Sequence, residues 1–144
     1  MPVPITLTTI AGGIIALMGS LHTLYTLLDL RKPRYFAPSD DSVRLAMQHA
    51  TVRFARGRTS MWDGWLGFNI SHGVGAIVFG VAAIYVPTIA PQSHRTLVLL
   101  ALVAISTAYL ITAIRFWFYK PIVGIALATL LFVAALAIHG AGAG

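Results

Sequence analysis

The sequence predicts an all-α membrane protein, a four-transmembrane-helix bundle with a cytoplasmic interfacial amphipathic helix between helices 1 and 2. Three observations lead to this fold class. Hydrophobic residues make up 58% of the chain and charged residues only 10%, against about 25% charged residues in soluble domains. Four apolar stretches approach or exceed the roughly 20 residues that a bilayer-crossing helix needs. Most of the basic residues flank these stretches, as they do in membrane proteins.

The four predicted spans cover about residues 5–28, 64–86, 96–118 and 121–138 of a single domain, 1–144. A bilayer admits only helices or closed β-barrels, because lipid cannot satisfy open backbone groups. The apolar residues lack the two-residue alternation of barrel strands, so we expect helices. Proline at position 87 predicts the end of the second span, because the residue before proline is pushed out of the helical region.

Charge predicts the orientation of the spans. Nine of the ten Lys and Arg residues lie in the loop of about 29–63 or near the turn between the last two spans, and only Arg95 lies at the other side. The positive-inside rule therefore places that loop in the cytoplasm and both termini on the non-cytoplasmic side. A pI near 10.3 does not indicate nucleic-acid binding here, because the basic residues flank apolar spans and form no face of a soluble fold.

The cytoplasmic loop contains its own helical pattern. Residues of about 40–56 predict an amphipathic helix on the membrane surface, which Gly57 is placed to end. Ser60 and Asp63 resemble a capping box that starts the second span. The apolar residues of the amphipathic helix recur at helical spacing: Val43, Met47, Ala50 and Phe54.

Small residues predict where the spans pack closely. Gly12 and Ala16, or Ala16 and Ser20, are four apart in the first span and so share a face, which permits close helix contact. The second span offers a similar stripe at Gly67, Ser71 and Gly75.

A set of polar residues lies inside the apolar spans. His22 precedes Asp29 by seven residues and His72 follows Asp63 by nine, so the two histidines lie roughly 10 Å and 13 Å from the cytoplasmic ends at 1.5 Å per residue. Ionisable residues within a span are a functional-site hypothesis by default. We predict one buried polar cluster that serves as a ligand-binding site and consists of His22, Tyr25, Asn69, His72, Thr112 and Arg115.

Four interpretations of this cluster stay open. Interhelical hydrogen bonds of His and Asn can simply hold helices together, at about 0.6 kcal/mol each. The cluster can bind the polar head of a quinone or isoprenoid. It can hold a b-type haem (haem b) with His22 and His72 as axial metal ligands. A bare metal site is disfavoured, because the chain has no Cys and the cluster has no carboxylate.

The stretch from Thr59 to Gly80 carries a resemblance. It resembles the Trp-x-x-Trp-x-Gly-Phe-Asn-x-Ser-His-x-x-Gly run of an uncharacterised family of small bacterial four-helix integral membrane proteins, and the segment around His22 is similar to that family's first helix. The resemblance implies a four-helix architecture and a place in the bacterial inner (plasma) membrane, with no assigned activity. The matching positions are Trp62, Trp65, Gly67, Phe68, Asn69, Ser71, His72 and Gly75.

We therefore expect a multi-pass inner-membrane protein that has the lipid bilayer as its partner. The sequence favours a non-enzymatic role, because no paired carboxylates or serine nucleophile elbow accompany the spans. The leading hypothesis is an accessory subunit or a binder of a lipophilic ligand. The alternative is a b-type haem electron-transfer protein. A homo-oligomer or a larger membrane complex stays open.

Overall fold

The structure, a computed structural model, describes residues 2–142 and contains five helices. They are α1 (Val3–Asp29), α2 (Asp41–His49), α3 (Met61–Ile89), α4 (Gln92–Phe116) and α5 (Tyr119–Ala141). All except α2 are long and apolar enough to cross a membrane. Among the described residues, β-structure is limited to one isolated antiparallel bridge. The predicted all-helical class, with four long apolar helices, is confirmed.

Helices α3 and α4 extend further toward each other than the sequence indicated. Helix α3 does not end before Pro87 but continues through it to Ile89. Pro87 removes only one N–H donor there, in the last turn of the helix, where few bonds remain to be lost. The turn keeps other partners, because the Thr88 hydroxyl donates to the Tyr85 carbonyl at 2.6 Å. Helix α4 already begins at Gln92, so the connection is very short.

The predicted helix over 40–56 is wrong in its length, because α2 covers only Asp41–His49. Its start is as expected: the Asp40 carboxylate accepts the Ser42 N–H at 2.8 Å, and hydrogen bonds from Ser42 hold the pKa of Asp40 below its usual value. After His49 the backbone becomes extended, and Thr51 forms the antiparallel bridge with Ser60. β-Branched residues favour extended backbone, and the bridge supplies partners that a longer helix would have to replace.

The start of α3 follows the predicted capping pattern. The Asp63 N–H donates to the Ser60 hydroxyl at 3.0 Å. The Ser60 hydroxyl in turn donates to the Asp63 carboxylate at 2.7 Å, whereas the glutamate of a usual capping box reaches back to a backbone N–H. The shorter aspartate side chain accounts for this difference.

The described chain divides into two compact units. The first, here called the four-helix unit, consists of residues 2–18 and 76–142. The second, here called the loop unit, consists of residues 19–75. Buried residues from α1, α3, α4 and α5 form the core of the four-helix unit: Ala11, Ile15, Ala83, Leu102, Ala128 and Phe132.

Within the four-helix unit, α1 and α3 approach each other at backbone distance. A Cβ atom added to Gly80 would lie 2.6 Å from both the Ala16 nitrogen and the Gly12 carbonyl oxygen. A Cβ atom on Gly12 would lie 2.5 Å from the Gly80 carbonyl oxygen. The Gly12 and Ala16 face therefore packs as predicted, but its partner on α3 is Gly80. The predicted stripe on α3 does not serve this purpose at Gly67, which has open space around it.

Replacement of Gly80 tests this close approach. We expect Gly80→Ala to lower the free energy of unfolding by about 1 to 3 kcal/mol, the usual cost of overpacking, because the methyl group meets backbone atoms that cannot rotate away. Thermal and denaturant unfolding of the purified protein in one detergent measures the change.

Gly13→Ala is the matched control, because nothing lies within 4 Å of the position where its Cβ would stand. Since alanine is the better helix former by about 1 kcal/mol, this control should unfold no earlier than the original protein. Equal stability of both variants would contradict the close contact.

Candidate functional site

In the loop unit, the second half of α1 lies against the first half of α3. A Cβ atom on Gly73 would lie 3.1 Å from the Thr23 nitrogen and 3.2 Å from the Gly19 carbonyl oxygen. Glycine favours so close an approach of two helix backbones, because a larger residue would force its neighbours to shift. His22 precedes Thr23 and His72 precedes Gly73, so this contact brings the two histidines to the same place.

A hydrogen bond between His22 and Asn69 joins the two helices. The His22 Nε2 atom lies 3.1 Å from the Asn69 Oδ1 atom. The Asn69 Nδ2 amide donates to the Trp65 carbonyl of the preceding turn at 2.8 Å. Because a carbonyl can only accept, this second bond fixes the orientation of the Asn69 amide. Its oxygen then faces His22, so the imidazole must donate from Nε2.

The direction of this bond determines the tautomer of His22. A neutral imidazole carries one proton, so protonation at Nε2 leaves the lone pair at Nδ1. Asn69 is 5% exposed, and its amide connects the backbone of α3 to the ring of α1. The site therefore presents a hydrogen-bond acceptor at the Nδ1 atom of His22.

Aromatic rings surround the two histidines. The His22 and His72 rings meet edge to face, with centroids 5.3 Å apart and an interplanar angle of 68°. Phe36 packs on His22 with a centroid distance of 4.5 Å, and Phe68 stacks on His72 at 6.0 Å. Both histidines are half-buried. The structure thus brings His22, Asn69 and His72 together, while their role in ligand binding stays a prediction.

The other predicted members of the cluster have different neighbours. Tyr25 belongs to the loop unit, where its ring stacks on Tyr35 with centroids 4.6 Å apart. Thr112 and Arg115 belong to the four-helix unit. The Thr112 hydroxyl donates to the Ala108 carbonyl at 2.9 Å, and the Arg115 guanidinium lies over the Phe116 ring at 5.2 Å. Membership of these three residues in a ligand site stays a prediction.

Asp29 is a central residue of the site region that was not among the predicted site residues. Its carboxylate is 1% exposed and accepts three backbone N–H groups, from Arg34 and Tyr35 at 2.8 Å and from Phe36 at 2.7 Å. These bonds fold the chain after α1 back over the end of that helix. The available signal is the spacing of His22, Thr26 and Asp29 at i, i+4 and i+7, which predicts one polar stripe on an otherwise apolar helix.

Trp65 holds the same segment from the side of α3. Its indole Nε1–H donates to the Phe36 carbonyl at 3.0 Å. Phe36 is therefore attached at its N–H to Asp29 and at its carbonyl to Trp65, and this double attachment places its ring on His22. Sequence reasoning missed Phe36, because its position depends on loop contacts that no local spacing reveals.

The histidine pair differs from the arrangement that a haem with two histidine ligands would need, and the haem alternative stays a prediction. Two nitrogen atoms that ligate one metal ion from opposite sides stand about 4 Å apart, twice a metal–nitrogen bond, with the porphyrin plane between the two rings. Here the rings contact each other edge to face. The His22 Nε2 atom is also engaged by Asn69. Among residues 2–142, no group of three or more His, Cys, Asp or Glu residues is placed to hold a metal ion.

No protein-family model matches the chain, and neither a curated protein nor a solved structure matches it. The resemblance carried by the segment from Trp62 to Gly75 therefore stays a prediction.

Replacement of Asp29 tests the anchor of the site. Asp29→Asn keeps the size of the side chain but turns one of its two acceptor oxygens into an NH₂ group, which then faces a backbone N–H. We expect a loss of about 1 to 3 kcal/mol in the free energy of unfolding, the usual cost of a buried donor without a partner.

Asp41→Asn is the matched control in the same denaturant titration. The Asp41 side chain is 87% exposed and pairs with Arg44 at 3.2 Å, and exposed ion pairs contribute little to stability. If Asp29→Asn were as stable as this control, the three backbone bonds would not anchor the segment.

Proposed function

We propose that the protein crosses the bacterial inner membrane four times, with both termini on the non-cytoplasmic side, and that it binds a lipophilic ligand at His22, Asn69 and His72. Four helices of sufficient length and hydropathy support the membrane location. The concentration of basic residues in the loop of about 29–63 supports the orientation. The role is non-enzymatic: the site holds the ligand without changing it.

The direction of the His22 to Asn69 bond carries the proposal. The Asn69 Oδ1 atom accepts a hydrogen bond from the one N–H group of the neutral ring, which leaves the His22 Nδ1 atom as an acceptor. In a helix surrounded by lipid, a hydrogen bond from a ligand to such an acceptor is favourable, because lipid itself offers no donor. A ligand with a hydroxyl group, such as a quinol or an isoprenoid alcohol, would donate to this atom.

The surroundings of the cluster suit a ligand with an apolar tail. Phe36 and Phe68 flank the histidine pair, and Leu21, Leu24 and Phe68 are exposed on the same parts of α1 and α3. A long hydrocarbon chain would cover these side chains while its polar head lies at the histidines. Ligand sites of this kind combine apolar walls with a few polar groups that fix orientation.

The test is to identify the lipids that co-purify with the protein. The full chain is extracted in a mild detergent, and its bound lipids are identified by mass spectrometry. We expect a hydroxyl-bearing quinol or isoprenoid in the original protein and a loss of about tenfold in His22→Ala, which corresponds to about 1.4 kcal/mol for one hydrogen bond to the ligand. His94→Ala, in an exposed histidine of α4, should retain the ligand.

Two results would contradict the proposal. If the original protein and His22→Ala carry the same lipids in the same amounts, the cluster is a packing interaction or the protein is an accessory subunit. An accessory subunit would then co-purify with a larger complex in both variants. If the purified protein shows a Soret band that shifts with dithionite and disappears in His72→Ala, the haem alternative replaces the proposal.

A further inference from the structure

A short hairpin in the loop unit leads directly into α3. The bridge between Thr51 and Ser60 closes it, with the Val52 N–H donating to the Thr59 carbonyl at 2.9 Å and the Met61 N–H donating to the Ala50 carbonyl at 2.8 Å. Because Met61 is the first residue of α3, the hairpin is attached to the end of that helix. The residues between the bridge partners form its tip.

The tip presents an apolar ring to the outside. Residues Arg53–Ala55 form a 3₁₀ turn, and the chain then reverses through Arg56 and Gly57, whose φ angles are 50° and 80°. Phe54 at the centre of the turn is 97% exposed, and the next most exposed large apolar residue in the described chain is Ile89 at 78%. The exposure of Phe54 follows from the backbone of a closed turn.

Two guanidinium groups flank this ring. Arg53, Phe54 and Arg56 line an open depression at the surface of the tip. Guanidinium groups bind phosphate through paired hydrogen bonds. A phenyl ring has no favourable contact with water. A surface that offers phosphate groups above a hydrocarbon layer would bind both guanidinium groups and bury the phenyl ring at the same time.

We propose that this tip, residues 52–59, binds anionic phospholipids, with Arg53 and Arg56 on the headgroup phosphates and Phe54 inserted at the boundary of headgroups and acyl chains. The inference rests on the membrane location proposed above and concerns a site separate from the histidine cluster. Anionic lipids attract basic segments on the cytoplasmic surface, which is the side that the charge distribution assigns to this loop.

The dimensions of the hairpin agree with this role. Phe54 lies three residues beyond Thr51, so it extends at most about 10 Å from the bridge at roughly 3.3 to 3.6 Å per residue. The headgroup layer on each side of a bilayer is about 5 to 8 Å thick. A tip fastened to the first residue of a bilayer-crossing helix therefore has the headgroup layer within its reach. An acidic surface by itself would account for the arginines alone, whereas a layer of anionic lipid supplies both phosphate and hydrocarbon.

The chain contains no cysteine, so a single label reports on the tip. Ala55→Cys, carrying a polarity-sensitive fluorophore, is reconstituted as the full chain in lipid nanodiscs. The discs contain either phosphatidylcholine alone or an equimolar mixture of phosphatidylcholine and phosphatidylglycerol. We expect a blue shift of the emission in the anionic discs only. Inorganic phosphate added to the neutral discs should not reproduce that shift.

Two variants and a matched control separate a specific site from general charge attraction. Arg53→Gln with Arg56→Gln should lower the equilibrium constant for tip insertion about 30-fold, from about 1 kcal/mol for each arginine near the surface. Phe54→Ser should abolish the blue shift. Arg31→Gln with Lys32→Gln removes the same charge from exposed positions of the loop unit and should keep most of the shift.

Three results would overturn the inference. They are equal emission in neutral and anionic discs, an equal loss in the control pair, and a shift produced by inorganic phosphate or by an acidic protein in place of lipid. None of them affects the ligand at His22, which is measured by lipid extraction. Failure of the tip and failure of the proposed function are therefore distinguishable.

Discussion

The need of each polar side chain in an apolar helix to find a partner shapes this structure. A group without a partner in hydrocarbon costs several kcal/mol, and the hydroxyl residues avoid that cost locally. Thr8, Thr26 and Thr129 each donate to a carbonyl of the preceding turn, at 2.8 to 2.9 Å. Histidine and asparagine have more groups to satisfy. The Asn69 amide donates to its own helix through Nδ2 and accepts from His22 through Oδ1. The hydrogen bonds that satisfy this side chain therefore connect α1 to α3.

The site region is built from the ends of the two helices and the chain that follows α1. The Asp29 carboxylate accepts hydrogen bonds from three backbone N–H groups at the end of α1. The Trp65 indole of α3 donates to a carbonyl of the same segment. Phe36 is thereby fixed over His22. The same loop unit also carries the hairpin with Phe54. The two proposed sites thus use opposite solutions: one binds a polar group among apolar residues, and the other inserts an apolar residue among polar headgroups.

The sequence predicts the long helices because apolar length is a property of contiguous residues. It also predicts the neighbourhood of His22 and His72, because rise per residue converts spacing into depth along antiparallel helices. It does not predict that α2 stops at His49, since the bridge between Thr51 and Ser60 competes with the helix. The three bonds to Asp29 depend on the path of a loop, which no periodicity encodes. The same limit applies to the choice of Gly80 as the glycine that meets Gly12, because several small residues of α3 offer equivalent stripes.

The central claim is that Asn69 holds His22 in the tautomer with the proton on Nε2, which makes Nδ1 the acceptor for a ligand. Nitrogen-15 NMR of the protein with labelled histidine, reconstituted in lipid nanodiscs, measures it most directly, because protonated and unprotonated ring nitrogens have well-separated chemical shifts. We expect a protonated Nε2 and an unprotonated Nδ1 for His22, and a loss of that preference in Asn69→Leu. A His22 signal with the proton on Nδ1, or one that is unchanged in Asn69→Leu, would contradict it.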